Sequence, residues 1–287
     1  GIDIEGARIA NVSLNNVSDT DNDGISVSDV SVAFTAEGNT VSFNGGDGID
    51  VDHVRAGKIL NNIVASSGDN GIEVSQSDSV LIQSNNVTKA KGTGIHVKRS
   101  DDAVIGGAGI LSNTINKSGN GITVRGSDNV TVENNAVTNS KRTAIFAKNL
   151  TNSAIINNIV DGVKRLSGIS IEDGTAINVS GNTIDNTKLD GISAVDVGVL
   201  TIDANLIGTT GTIGANGIYL EAFDDAIVTG NTVIGAGDDG IFADGYNDNG
   251  HGQTLLIGNN SFSDLGGNGI TANYVDSLEI SGNTITN

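Results

Sequence analysis

The sequence predicts an all-β solenoid in which about twelve coils of roughly 23 residues each wind three short strands into three parallel sheets. Three observations predict it. A Gly-Ile pair opens each unit, starting at Gly1, Gly24, Gly48, Gly71, Gly94, Gly121, Gly168, Gly191, Gly217, Gly240 and Gly269, with Ala144 in the glycine's place once. One asparagine recurs per unit: Asn15, Asn39, Asn62, Asn85, Asn113, Asn135, Asn158, Asn182, Asn205, Asn231, Asn260 and Asn283. Between these markers, apolar residues alternate with period two and the alternation restarts three times per unit, the signature of strands separated by turns.

Each element follows from that pattern. The first strand is Gly-Ile-x-Val, as in Gly71-Ile72-Glu73-Val74, with Ile and Val pointing inward. The second places apolar residues at Val80 and Ile82, Val130 and Val132, or Ile177 and Val179. The third carries its inward residue two places after the asparagine, as at Val64, Val87 and Ile184. Asparagine tolerates the left-handed conformation of a tight turn, and its amide can bond its equivalent one coil away, so these residues are expected to form a structural ladder. A small polar residue precedes each Gly-Ile (Asp23, Asp47, Asn70, Asp190, Asn216, Asp239) and marks the turn leading into the first strand. A single coil cannot offset the backbone entropy of ordering its residues, so stability must come from stacking.

Three short strands per turn, with these Gly-Ile and Asn positions, resemble the right-handed parallel β-helix of pectate lyases and of many bacterial surface proteins. The resemblance spans all twelve units. With strands about 4.8 Å apart, it implies a rod of roughly 55 Å with a long exposed flank. The unbroken repeat predicts one β-helix domain over residues 1–287, and a chain that starts and stops inside repeats reads as a piece of a longer protein.

The composition fits such a sheet: 40 Gly, which serve tight turns, and no Pro to remove a ladder donor. There is no Cys either, so neither a disulfide framework nor a thiol nucleophile exists. A formal charge of -19 argues against nucleic acid or an anionic membrane as partner and favours cations, calcium among them. No apolar run reaches the length of a membrane span, so no membrane insertion is expected. The acidic Gly/Asn/Asp/Thr-rich repeat reads as a secreted or cell-surface protein of a microbe.

Departures from the spacing point to candidate sites, because loops leaving a rigid scaffold are where sites are built. Coil five is lengthened around Asp101 to Gly109, coil nine through Gly208 to Ala215, and coil eleven between Asp244 and Gln253. The last two insertions are expected to wall a cleft over the first strands of coils ten and eleven. Its candidate glycan-binding residues are Tyr219, Glu221, Phe242, Asp244, Tyr246 and His251, with Tyr219 and Phe242 stacked outward as a flat surface for a sugar ring. Six of the nine aromatic residues lie in the last 69 positions. Phe262 replaces an inward aliphatic and reads as core.

A second constellation sets Asp50, Asp52 and Glu73, a candidate calcium site, beside the charged residues His96, Lys98 and Arg125. Carboxylates that hold an ion next to a basic group are what a calcium-dependent polyuronate lyase needs. Asp19-Thr20-Asp21-Asn22-Asp23-Gly24 has the alternate carboxylates of a calcium loop without its closing Glu, and Gly45-Gly46-Asp47-Gly48-Ile49-Asp50-Val51 matches a single calcium nonapeptide. Gly250-His251-Gly252 after Asp238-Asp239 resembles the polygalacturonases. Gly240-Ile241-Phe242-Ala243-Asp244 is similar to the mannuronan C-5-epimerases, which would make Asp244 the matching acid. That family's Asp-Pro-His segment is replaced here by Tyr219, Leu220 and Glu221.

The leading reading is therefore a non-enzymatic surface module (stalk, adhesin or matrix element) that requires no cofactor, with a polysaccharide or cell-surface glycan and adjoining β-helix coils as partners and calcium as a candidate ligand. The alternatives are a polyuronate lyase or C-5 epimerase working along the first-strand face, and a filament-forming protein that pairs through exposed strand edges.

Overall fold

A computed structural model describes residues 1–246 and 253–286. The chain divides into two compact units, Gly1–Lys141 and Arg142–Asn287, each holding six coils. In the first unit every coil has three separate strands. Coil three, for instance, is built from Ile49–Asp52, Gly57–Leu60 and Ile63–Ala65. All pair in parallel and in register with the next coil, so that Ile2, Ile25, Ile49, Ile72, Ile95 and Ile122 form one row.

The second unit departs from the expected three separate strands. In its first four coils the first and second strands are continuous: Ile145–Ile156, Ile169–Ser180, Ile192–Asp203 and Ile218–Thr229. The corner survives as a bend at Asn149, Asp173 and Asp196, each near φ +54°. These bends are stacked, and the ladder carries across them through pairs such as Thr151 with Thr175. Coils eleven and twelve return to separate strands, Ile241–Asp244 with Thr254–Gly258, and Ile270–Asn273 with Ser277–Ser281.

In-register parallel stacking sets like on like, which suits β-branched side chains. Ile25, Ile49 and Ile72 are fully buried, as are Val41, Val64 and Val87 of the third strands. Phe34, Phe223 and Phe262 fill aliphatic positions in the same core.

Two backbone details differ from the sequence reading. The residue in the left-handed conformation is not the recurring asparagine but the one before it: Asn61, Ser84, Asn134, Asn157, Gly181 and Ala204 all have positive φ. The repeat glycine is required by crowding rather than by its φ. A Cβ on Gly48 would sit 2.3 Å from Val64 Cγ1 and 2.6 Å from the Gly71 carbonyl oxygen.

Each corner carries its own side-chain hydrogen bonds between coils. Asn39 Nδ2 donates to Asn62 Oδ1 and Asn62 Nδ2 to Asn85 Oδ1, both at 3.0 Å. In the second unit Asn182 Nδ2 donates to Asn205 Oδ1 at 2.9 Å, and Asn205 and Asn231 continue the series. Asn158 opens this second row and Asn283 accepts at its end, while Asn135 accepts from Asn113 in the first. At the lead-in turn, Asp47 Oδ1 accepts the Asn70 N–H at 2.6 Å and Asn70 Oδ1 the Thr93 N–H at 2.8 Å. At the corner after the first strand, Ser77, Ser100 and Ser127 hydroxyls each accept a backbone N–H from the preceding coil.

Candidate functional site

The outward positions of the first strands form a different surface in each unit. In the first unit, register places Asp50 beside Glu73 and Glu73 beside His96, while Asp52, Ser75, Lys98 and Arg125 form the neighbouring row. Glu73 is the hub. It pairs with Lys98, lies 3.5 Å from His96 Nδ1, and accepts a 2.5 Å hydrogen bond from Asn70 Nδ2. His96 and Lys98 hold its carboxyl down at about 2 despite burial, and Glu73 in turn raises the Lys98 ammonium above its usual range. Lys98 is thus a charged partner rather than a proton acceptor.

Carboxylate oxygens of Asp47, Asp50 and Glu73 lie within 4.8 Å of one another. Among the described residues no other three acids converge in this way, so the Asp19–Asp23 loop does not form a cluster. There Asp23 is engaged by the Asp47 N–H at 2.7 Å. Burial pushes Asp47 up to about 7 and Asp50 up to about 6, with neighbouring acids adding to both. The sequence reading assigned Asp52 to this group. Its carboxylate instead engages His53 Nδ1 at 2.6 Å and the Ser75 hydroxyl, and Asp47 takes its place. Asp47 was visible in sequence as a lead-in turn residue and within the nonapeptide-like segment Gly45–Val51, but not as a partner of Glu73. Arg125 is exposed at the far side of this row.

In the second unit the corresponding row runs Phe146, Ser170, Ser193, Tyr219, Phe242 and Thr271. Tyr219 and Phe242 stack with centroids 5.5 Å apart and ring planes 4° from parallel. In-register pairing sets the two Cα atoms opposite each other, and this directs both rings the same way. The Tyr219 hydroxyl donates to Glu221 Oε2 at 2.7 Å, and burial with that bond raises the phenol far above its usual range, so it stays protonated.

Two concavities meet at Tyr219. One, of about 370 Å³, is lined by Tyr219 and Phe242 with Asn216, Asp238, Asp239 and Gly267. The other, of about 230 Å³, has Phe146 at one end and Tyr219 at the other, with Ser170 and Ser193 between them and Asp190 at its side. Short side chains separating two aromatics in register leave this trough.

The wall of the larger concavity comes from lead-in turns rather than from the coil-nine insertion expected to build it. Thr210 of that insertion is held by Asp185, through its N–H at 3.1 Å and its hydroxyl at 2.8 Å, and Ile213 returns to the core. Asp244 accepts the Tyr246 N–H at 3.0 Å. Tyr246 itself packs edge-on against Tyr274 at 6.0 Å and does not line the concavity. His251 lies outside the described residues. The sequence reading missed Ser170, Ser193, Asp190, Asn216, Asp238 and Asp239 as lining residues. The row before each Gly-Ile was the signal for Asp190, Asn216 and Asp239, and Asp238 adjoins it.

The right handed beta helix region family matches residues 1–107 and 47–207. The chain belongs to that family. No curated protein matches this β-helix by sequence. Among solved structures it is similar to a mutant of the periplasmic alginate epimerase AlgG, at 15% identity and TM-score 0.71 over 96% of this chain and 73% of that one. The β-helix is also similar to PfbA, a surface adhesin of Streptococcus pneumoniae, at 14% identity and TM-score 0.60 over 91% and 72%. It resembles pectate lyase Pel9A at 11% identity and TM-score 0.53 over 92% and 68%. At these identities the likeness establishes the fold alone, which hosts both enzymes and an adhesin.

Proposed function

We propose that this β-helix is a non-enzymatic, extracellular or surface-displayed module that binds a glycan along the first-strand face of its second unit. The observation that carries the reading is the parallel Tyr219–Phe242 pair opening onto a concavity of about 370 Å³. Each ring covers one face of the other, so the remaining faces and edges take the apolar side of a sugar, and adjacent carboxylates and amides accept from and donate to its hydroxyls. Neither Tyr219, held protonated by burial and its bond to Glu221, nor Lys98, held protonated by Glu73, is poised as a general base. The periplasmic or surface setting named for AlgG and PfbA, and the absence of any helix long and apolar enough to cross a membrane among the described residues, are compatible with this placement.

The test is titration calorimetry against a panel of neutral and charged oligosaccharides. Binding that falls with Tyr219→Ala and with Phe242→Ala supports the reading, and a panel without a binder removes it. Unsaturated ends or altered C-5 stereochemistry in uronate polymers incubated with the protein and calcium would show an enzyme instead.

A divalent cation at Asp47, Asp50 and Glu73 is a second reading. It is favoured by three converging carboxylates, two of which burial holds well above the usual range. A melting temperature unchanged between calcium and chelator would sink it.

A further inference from the structure

We infer that the glycan taken by the second unit carries protonated amino groups, as a de-N-acetylated hexosamine polymer does, rather than carboxylates. This rests on the glycan-binding reading above and narrows it to one class of sugar.

Charge complementarity carries the inference. Lys188 is the last Lys or Arg of the chain, and thirteen acids follow it between Asp190 and Glu279. The residues lining the two concavities include Glu172, Asp190, Asp238 and Asp239, and no Lys or Arg. Lys148, which shares an outward row with Glu172, is already taken: its ammonium lies 3.0 Å from Glu172 and 2.9 Å from Asp173. A polyuronate laid on Tyr219 and Phe242 would bring its carboxylates against Asp238 and Asp239 with no cation to receive them. A sugar ammonium would meet charge-assisted acceptors in the same place.

The acids are also placed to act on a bound ring. Asp238 is exposed beside the aromatic pair; its main chain bonds Ala215 and Gly267, and its carboxylate makes no hydrogen bond or ion pair with the described residues. Asp239 is half-buried and spends one oxygen on the Asn268 N–H at 2.6 Å. At the equivalent turn positions stand Asn216 and Asn268, whose side chains are uncharged. A lead-in turn therefore needs an oxygen acceptor but not a charge, and the charge of Asp239 is surplus to the fold. On the other side of Tyr219, Asp190 accepts from Asn216 through both its N–H and its Nδ2, at 3.1 and 3.0 Å. The aromatic row runs from Phe146 to Phe242, and acids flank it on the lead-in side, an arrangement suited to a linear chain with a repeated cationic substituent.

The experiment compares three hexasaccharides of matched length at mildly acidic pH, where the amino sugar is protonated: glucosamine, N-acetylglucosamine and mannuronate, each with and without calcium. A Lys-rich peptide is the fourth probe. The expected result is binding of the glucosamine oligomer about tenfold tighter than the acetylated one, with an affinity that falls as salt rises. The pair Asp238→Asn and Asp239→Asn is expected to erase that difference. The amide at 239 preserves the acceptor for Asn268, and circular dichroism checks that the pair folds. Equal affinity for the glucosamine and N-acetylglucosamine oligomers overturns the inference and leaves the glycan-binding reading standing. Tightest binding of mannuronate, or of the Lys-rich peptide, also overturns it. If no oligosaccharide binds and Tyr219→Ala changes nothing, both fall together.

Discussion

The two units share a scaffold and differ in what they place on it. In the first, much of the outward first-strand surface is paired internally, Glu73 with Lys98 and His96 and Asp52 with His53 and the Ser75 hydroxyl, while Asp50 stands among acids. In the second, the equivalent row is aromatic and serine, and the acids beside it at Asp238 and Asp239 have no basic partner in the lining. Because register sets equivalent residues side by side, one substitution per coil is enough to change the chemistry of a whole outward row. The scaffold contributes spacing, and the outward residue contributes the chemistry.

The largest expected effect concerns what the units share. Asn62 and Asn182 each donate to a main-chain carbonyl and to the next asparagine, and each accepts an N–H and an Nδ2 from the coil before. Asn62→Ala and Asn182→Ala are both expected to cost about 2–4 kcal/mol by leaving buried polar groups unmet, as measured by urea unfolding. A difference beyond that range between the two would break the claim of a common scaffold. Next, Tyr219→Ala should weaken glycan binding about tenfold or more, roughly 1.5 kcal/mol, whereas Lys98→Ala should leave it unchanged in the same calorimeter. Equal losses would mean that the faces are not distinct.

Within the first unit, Glu73→Gln removes the acceptor charge for Lys98 and His96 and is expected to cost about 1–2 kcal/mol at neutral pH. Since the Glu73 carboxyl is lowered in the fold from 4.5 to about 2, its contribution is present above pH 4.5 and disappears as pH falls towards 2. The wild type and the variant should therefore converge in acid melting curves. The smallest effect has the opposite sign. Asp47 is raised from 3.8 to about 7, so the fold favours its protonated form, and stability is lost as pH rises through that window. Asp47→Asn, which places there the residue found at Asn70, should gain about 1 kcal/mol near pH 8 and nothing near pH 4. Calcium that stabilises the wild type near pH 8, but not this variant, would convert the liability at Asp47 into a ligand.

Much of the scaffold was legible because its rules are periodic. Gly-Ile, the recurring asparagine and the inward Val residues each repeat at a spacing that only stacked coils explain, and Phe262 was identifiable as core from its place in that register. The local reasons were harder. Periodicity cannot tell a glycine that avoids Val64 from one that turns the chain, nor assign the left-handed residue to Asn61 rather than Asn62. The Tyr219–Phe242 stack was readable, because two outward residues one coil apart must adjoin. The wall at Asp238 and Asp239 was not, because the sequence set those acids in a lead-in turn and beside a Gly-His-Gly segment, and neither pattern says that they flank the two rings. The coil-nine insertion misled for a related reason: an insertion that bonds Asp185 and returns Ile213 to the core is absorbed, and length alone does not reveal that.

The register itself sets the size of the step by which such a protein can change. In the second unit Ile145 faces Ile169, and Ile169 faces Ile192. Removing residues 168–190 as a block would bring Ile145 opposite Ile192 and leave Asn158 facing Asn205, so every row closes up with its own kind. Removing one residue from a strand would turn its inward face outward. The second unit can therefore lengthen or shorten only by whole coils, and the reach of the aromatic trough between Phe146 and Tyr219 changes only in steps of about 4.8 Å.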